Sequence, residues 1–574
     1  MKLIGATGSE FDIARWQRRL PVAQKRAPAD LVIANGRIAN VFSGELIDAN
    51  VAIVDGLIAG IGDYHDATET IDASGMVVAP SFVDAHIHIE PTHLWPTEFA
   101  RAVLPHGTGA IVSDAHEIAN VAGMPALEAF RSAVADLPLH VRWTIPSCVP
   151  ASPFESPGFA LGLDVTAAAL HWPESGVLGE MMNFPGLLAG DETIGTKLLA
   201  SAGMVRDGHA PGVTGDALQA YAGSGITSDH ESTTPEEALA KLRAGMLVVI
   251  REGSSEHNLH ELLPIVNDRT FHRCAFGTDD RDCHELLVNG HLDATLRMAI
   301  AAGLDPVRAI TMATWIPARH WRLHGIGAVA PGYEANLVLI DDLEQMSIAA
   351  TLFQGVIVAG GGECITPIPP INAPEALWHT VNVAPLMLRD LRLSPESARD
   401  VVEAVPGQIV TRHVRVEPTV RDGVAVADPA RDLLKLVCVE RHHATGRVGV
   451  GLIKGFGLQR GAIASTIAHD AHNIMATGAD DTDILAAVAI GAESQGGLAV
   501  VADGEVKAHL PLPIVGLLSD QPAAEVAAGY DAVEAAARTL GSALSSPFGT
   551  LAFMGLSVIP EARVTDRGFL RVGG

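Results

Sequence analysis

Residues 76–90 read MVVAPSFVDAHIHIE, an apolar run that ends in Asp84, His86 and His88. In an extended strand residues i and i+2 share a face, so the two imidazoles project together. Paired imidazoles make a clamp for a divalent metal ion. An HxH pair alone is a weak signal, because two hydrogen-bonded histidines on one strand face read the same way. Its weight comes from the residues downstream.

The same pattern recurs through residue 330. TGAIVSDAHE, VRWTIPSCVP, VLGEMMNF, MVRDGHAPG, ITSDHES, MLVVIREGS and RCAFGTDDR each run from apolar into polar or ionisable residues, with a helix-like stretch behind. Near-continuous apolar strands suit a parallel sheet buried on both faces. Eight β-then-α units are what a (β/α)8 barrel requires, and its active site lies at the strand C-termini. An open doubly wound sheet is the competing arrangement; His and Asp packed directly onto strand ends favour the barrel. Glu180 closes the fourth run, His209 the fifth, His230 the sixth and Asp279 the eighth. With His86 and His88 they form an expected binuclear metal site of four imidazoles and two carboxylates.

Short β segments flank this middle. DLVIANGRIAN, ANVAIVDGLIAGIG and GMVVAP precede it, with Asn-Gly and Asp-Gly turn signals, and ANLVLIDD and TLFQGVIVAGG follow it. The organisation expected is an α/β chain. Residues 1–79 plus 331–380 form a small β-sandwich, 80–330 a metal-dependent hydrolase barrel, 381–406 a linker and 407–574 a C-terminal α/β or α+β domain. In the last, DTDILAAVAIGAES and PAAEVAAGYDAVEAAARTLG read as helices.

Composition narrows the partners. Lys plus Arg total 39 and Asp plus Glu 67, a net charge of −28. So acidic a surface repels phosphate backbones and anionic headgroups, which argues against nucleic-acid polymers and membranes. The five cysteines are scattered and contain no CxxC, which argues against a disulfide framework and a thiolate zinc knuckle. It also excludes the deaminase class built on H-x-E with P-C-x-x-C. No secretory signal or transmembrane run is evident, so a soluble cytoplasmic protein is expected.

The HxH, the strand-four carboxylate, the two later histidines and the Asp together resemble the amidohydrolase superfamily. Where many of its members carry a carboxylated lysine on strand four, this chain has Glu180 in GEMMNFPG with no Lys beside it. The segments HIHIEPTHLWP, SDAHEIANVAG, DGHAPG, SDHES, REGS, TDDR and KGFGLQRGAIASTIAHDAHNI extend the resemblance over essentially the whole chain, to the bacterial adenine deaminase family. That resemblance implies hydrolysis of free adenine to hypoxanthine and ammonia, with water as co-substrate. It also implies two divalent ions, manganese or iron, with zinc as a third option. A homo-oligomer, taken as a dimer, is expected.

The chemistry agrees with the residues. Displacing ammonia from C6 needs a hydroxide nucleophile, which a metal supplies by lowering the pKa of water to about 7. Asp279 is placed to take that water's proton and pass it to the leaving amine. Glu180 is either a bridging ligand or the acid that protonates the ring nitrogen. Expected around the ligands, as substrate contacts or supports, are His116, Glu117, Glu231, Arg251, Glu252, His469 and His472; an internal Arg251–Glu252 pair is the plainer alternative. Asp207 and Asp229 are expected to cap or orient the histidines that follow them, and Asp280 and Arg281 to form a pair. Two further functions compete: a cyclic amide hydrolase of the dihydroorotase or hydantoinase type on the same metals, and an inactive barrel serving as a scaffold.

Overall fold

The computed structural model of the protein describes residues 12–254 and 256–572. The first eleven residues of the expected small β domain, and the last two of the chain, lie outside this range.

The eight apolar runs form strands at Phe82–His88, Thr108–Asp114, His140–Thr144, Val177–Met181, Val205–Gly208, Ser228–Asp229, Leu247–Arg251 and Cys274–Gly277. Neighbours in this order pair in parallel. The third meets the fourth through a bridge between Ile145 and Leu178, and the fifth meets the sixth through Thr227 N–H donating to Arg206 O at 3.0 Å. Asp279–Asp280 then pairs with Ile87–His88 and closes the ring. Nearly every strand residue is buried, as a sheet covered on both faces demands. All eight C-terminal ends open on one rim.

Both flanks of the ring feed a pair of β-sheets. One has four strands, all from residues before the ring; in the other, Leu337–Asp342 runs antiparallel to Val77–Pro80. The sheets share a core that includes Leu31, Ile53, Val78, Leu337 and Leu352. An N-terminal helix, Ile13–Ala23, capped by Asp12, lies beside them.

The C-terminal region holds an eight-stranded, mainly antiparallel sheet with helices at Asp481–Glu493 and Ala523–Thr539. The stretch expected as a linker departs from its reading. Val381 and Leu391 are buried in the core of this sheet, and Asp400–Ala404 is one of its inner strands, paired with Thr411–Arg415 and Val448–Lys454. Proline-rich composition looked like a connector, yet the segment is integral to the domain. A continuous apolar cluster joins the sheet to the ring, from Phe99, Phe130 and Trp143 to Leu436, Met475 and Leu512. Among the described residues no helix is long and apolar enough to cross a membrane.

Candidate active site

His86 and His88 leave the first strand on one face, as their spacing requires. His86 Nδ1–H donates to Asp207 Oδ2 at 2.8 Å, and His88 Nδ1–H donates to the Asp114 carbonyl at 2.7 Å. With their protons engaged behind them, both rings turn an Nε2 lone pair inward, and the two nitrogens stand 3.1 Å apart. Glu180 Oε1 lies 3.2 Å from His88 Nε2 and 3.9 Å from His86 Nε2. Asp279 Oδ1 lies 3.3 and 3.9 Å from the same atoms. Glu180 Oε2 faces the other way, 2.7 Å from His209 Nδ1 and 3.3 Å from His230 Nε2.

Local structure enforces this convergence. Glu180 N–H donates to Asp114 Oδ2 at 3.0 Å, and a Cβ on the neighbouring Gly179 would stand 2.1 Å from that oxygen, so only glycine fits there. His209 N–H donates to the buried Tyr221 hydroxyl at 3.0 Å. The His230 ring stacks on His86, centroids 3.8 Å apart.

The donor set fits divalent metal. Lone pairs meet lone pairs, and buried Glu180 Oε1 has no hydrogen-bond partner. The cavity, about 400 Å³, is lined by Glu117, Glu180, Glu231, Glu256, Asp279, Asp280 and Asp470 against one guanidinium, Arg251. Burying such an excess of carboxylates is costly without cations. In the metal-free chain the surrounding carboxylates favour the protonated form of His86, His88 and His209. Burial opposes the charge on His86, but Asp207 and Glu180 raise it to about 9. Burial likewise opposes ionisation of Glu180, yet contacts from His209, His230 and His88 hold it well below the usual carboxylate range. Metal loading therefore releases protons from these imidazoles.

The remaining expected residues divide. Arg251 does not pair with Glu252. Its Nη1 and Nη2 grip Glu231 as a fork, with Nη2–Oε2 at 3.0 Å, and Nη1 also donates to Asp279 Oδ2 at 2.6 Å. Glu252 turns away from the cavity: it accepts from His257 Nδ1 at 2.7 Å and from the Leu259 N–H at 3.1 Å, bracing a loop. Nor do Asp280 and Arg281 pair; Asp280 lines the cavity, while Arg281 Nη1 donates to the Glu252 carbonyl at 3.1 Å. His116 Nδ1 stands 3.4 Å from Glu180 Oε1. The C-terminal region reaches the same place: Asp470 Oδ1 is 3.6 Å from His116 Nε2, and His469 Nδ1 is 3.2 Å from Glu117 Oε1.

Glu117, His469 and His472 cluster closely enough to suggest another metal site, but the tautomer speaks against it. Ala468 N–H donates to His472 Nδ1 at 3.1 Å. Burial keeps that ring neutral by pushing its pKa well down, so its proton sits on Nε2, the nitrogen facing Glu117 Oε2 at 3.6 Å.

Sequence reasoning missed several contributors. Asp207 orients His86 rather than His209, the residue it nearly adjoins. Asp114 serves both His88 and Glu180. Ile409, Phe553 and Leu556 cap the cavity from the C-terminal region and carry no sequence signal, being ordinary apolar residues. Asp470 had one: it stands inside the HDAHN motif.

The amidohydrolase family matches residues 77–360, and the adenine deaminase C-terminal domain matches residues 408–573. Proteins named adenine deaminase from Dehalococcoides mccartyi and Oleidesulfovibrio alaskensis are each 45% identical. The alignments cover 96% of this chain and 97% and 96% of theirs. One from Halalkalibacterium halodurans is 42% identical over 97% of both chains.

Proposed function

This chain belongs to the adenine deaminase family, and from that premise we propose how its residues divide the work. The enzyme hydrolyses adenine to hypoxanthine and ammonia. The site is assigned to a (β/α)8 barrel, residues 80–330, flanked by a β-sandwich from 1–79 and 331–380. The C-terminal domain takes in residues 381–406 as well.

Two divalent ions are assigned to the cluster, one to His86, His88, Glu180 and Asp279, the other to Glu180, His209 and His230. The mixed imidazole and carboxylate donors suit manganese, iron or zinc. Bound there, the ions supply water acidified to near neutrality as the nucleophile. Glu180 would hold both ions; the observation that supports this is its two oxygens facing opposite pairs of histidines. A carboxylate so engaged has no proton to give, so the alternative of a ring-nitrogen acid is set aside. Asp279 receives the proton of the attacking water and returns it to the departing amine. Arg251, held by Glu231, fixes the second Asp279 oxygen so that the first points into the cavity.

Titrating metal-stripped protein with manganese tests the assignment. Adenine turnover should rise until about two equivalents per chain are bound, and Glu180→Gln should weaken both. Full activity at one equivalent would overturn the bridge.

A further inference from the structure

The orientation of the base rests on the function proposed for the site: deamination at C6 sets that edge of adenine against the ligand cluster. N9 lies at the opposite end of the bicycle, so it faces away from the ligands and toward the wall supplied by the C-terminal domain. Two rings of that wall, beside Ile409, Asp470 and Leu556, separate the cavity from a space behind it. His469 and Phe553 are stacked, centroids 4.5 Å apart and planes within 14°. Both border the catalytic cavity and, together with Asp280, also border this second space. The far side of that space presents Tyr530 and Phe548 together with His93, Ser254 and Ser546.

The stack is held in place from both sides. His469 Nδ1 sits 3.2 Å from Glu117 Oε1. The His469 backbone N–H donates at 2.9 Å to the carbonyl of Ala552, the residue before Phe553.

We infer that the His469–Phe553 stack determines specificity: it admits the free base and rejects adenine substituted on N9, by partitioning the catalytic cavity from the space behind. A hydrogen on N9 clears the rings, whereas a methyl group or a sugar meets them. Beyond the rings the wall presents the hydroxyl groups of Ser254, Tyr530 and Ser546, so removing a ring should open a way for an N9 substituent toward polar partners.

The experiment compares adenine with 9-methyladenine on manganese-loaded wild type, Phe553→Ala, Phe553→Leu and His469→Ala, with metal content measured for each. Wild type should deaminate adenine and neither turn over nor be inhibited by 9-methyladenine. Phe553→Ala should raise the ratio of kcat/KM for 9-methyladenine over adenine by at least about tenfold, the usual worth of a steric group of this size, with Phe553→Leu in between. An unchanged ratio in metal-replete Phe553→Ala would overturn the partition. So would competitive inhibition of the wild type by 9-methyladenine at concentrations near the KM for adenine, a measurement that needs no variant to fold. Failure of the wild type to act on adenine at all would instead count against the function proposed for the site.

Discussion

Asp279 has φ 54°, in the left-handed region that side chains other than Asn and Asp enter at a cost. Residues held there cluster at functional sites. Asn tolerates the same backbone and has the same shape, so Asp279→Asn should fold normally while losing the charge that accepts a proton. Assayed at metal content matched to wild type, hypoxanthine formation should fall by about a thousandfold, within the range for general acid–base groups, with the folded secondary structure retained in circular dichroism. One layer out, Asp207→Asn should weaken metal binding about 10- to 100-fold by releasing the His86 ring. Activity titrated against free manganese would show it, with recovery at high metal. The proposed ligands were legible because their residue types end five of the eight apolar runs. Asp207 was misassigned because its partner is 121 residues away in sequence, and proximity along the chain says nothing about that.

The sixth strand shows how an element too short to hold itself is held by a neighbour. Ser228–Asp229 is two residues long, yet it must present His230. Helix Pro235–Arg243 supplies the anchor. The fully buried Lys241 Nζ donates to Asp229 Oδ2 at 2.6 Å, to Glu237 Oε1 at 2.8 Å and to the Ala210 carbonyl at 2.9 Å. Lys241→Met would leave Asp229 buried and uncompensated, an expected loss of about 3–5 kcal/mol in urea unfolding. An unchanged midpoint would show that the neighbouring backbone donors carry Asp229 alone. At this scale the eight strands could be read from apolar runs. The segment 381–406 could not, because isolated buried residues such as Val381 and Leu391 make no period and their partners arrive only with the folded sheet. The capping by Phe553 and Leu556 was equally silent, since it arises from how one domain sits on another.

Across the whole molecule the ring and the C-terminal sheet are joined by buried polar groups as well as apolar ones, Ser156 Oγ–H donating to Asp566 Oδ2 at 2.7 Å among them. A buried histidine within the C-terminal region responds to pH. His442 is pushed down to about 3 by burial, with Arg441 adding to it, and its Nε2–H donates to the Ala471 carbonyl at 2.7 Å. Unfolded, it titrates near 6.5. The folded state thus binds fewer protons, so the stability associated with this neutral ring is present above about 6.5 and is lost as pH falls from there toward 3. Comparing Tm of wild type and His442→Asn at about pH 7.5 and 5, on either side of the unfolded value, checks the sign. The gap should narrow in acid, and a constant gap would contradict it. The bridging role proposed for Glu180 has a broader consequence. A lysine must capture carbon dioxide after synthesis before it can join two ions, so such a site depends on dissolved bicarbonate. Glu180 is complete when the ribosome releases the chain. With Glu180 in the role proposed above, this centre would need only its ions to mature, and its assembly would be independent of the cell's supply of inorganic carbon.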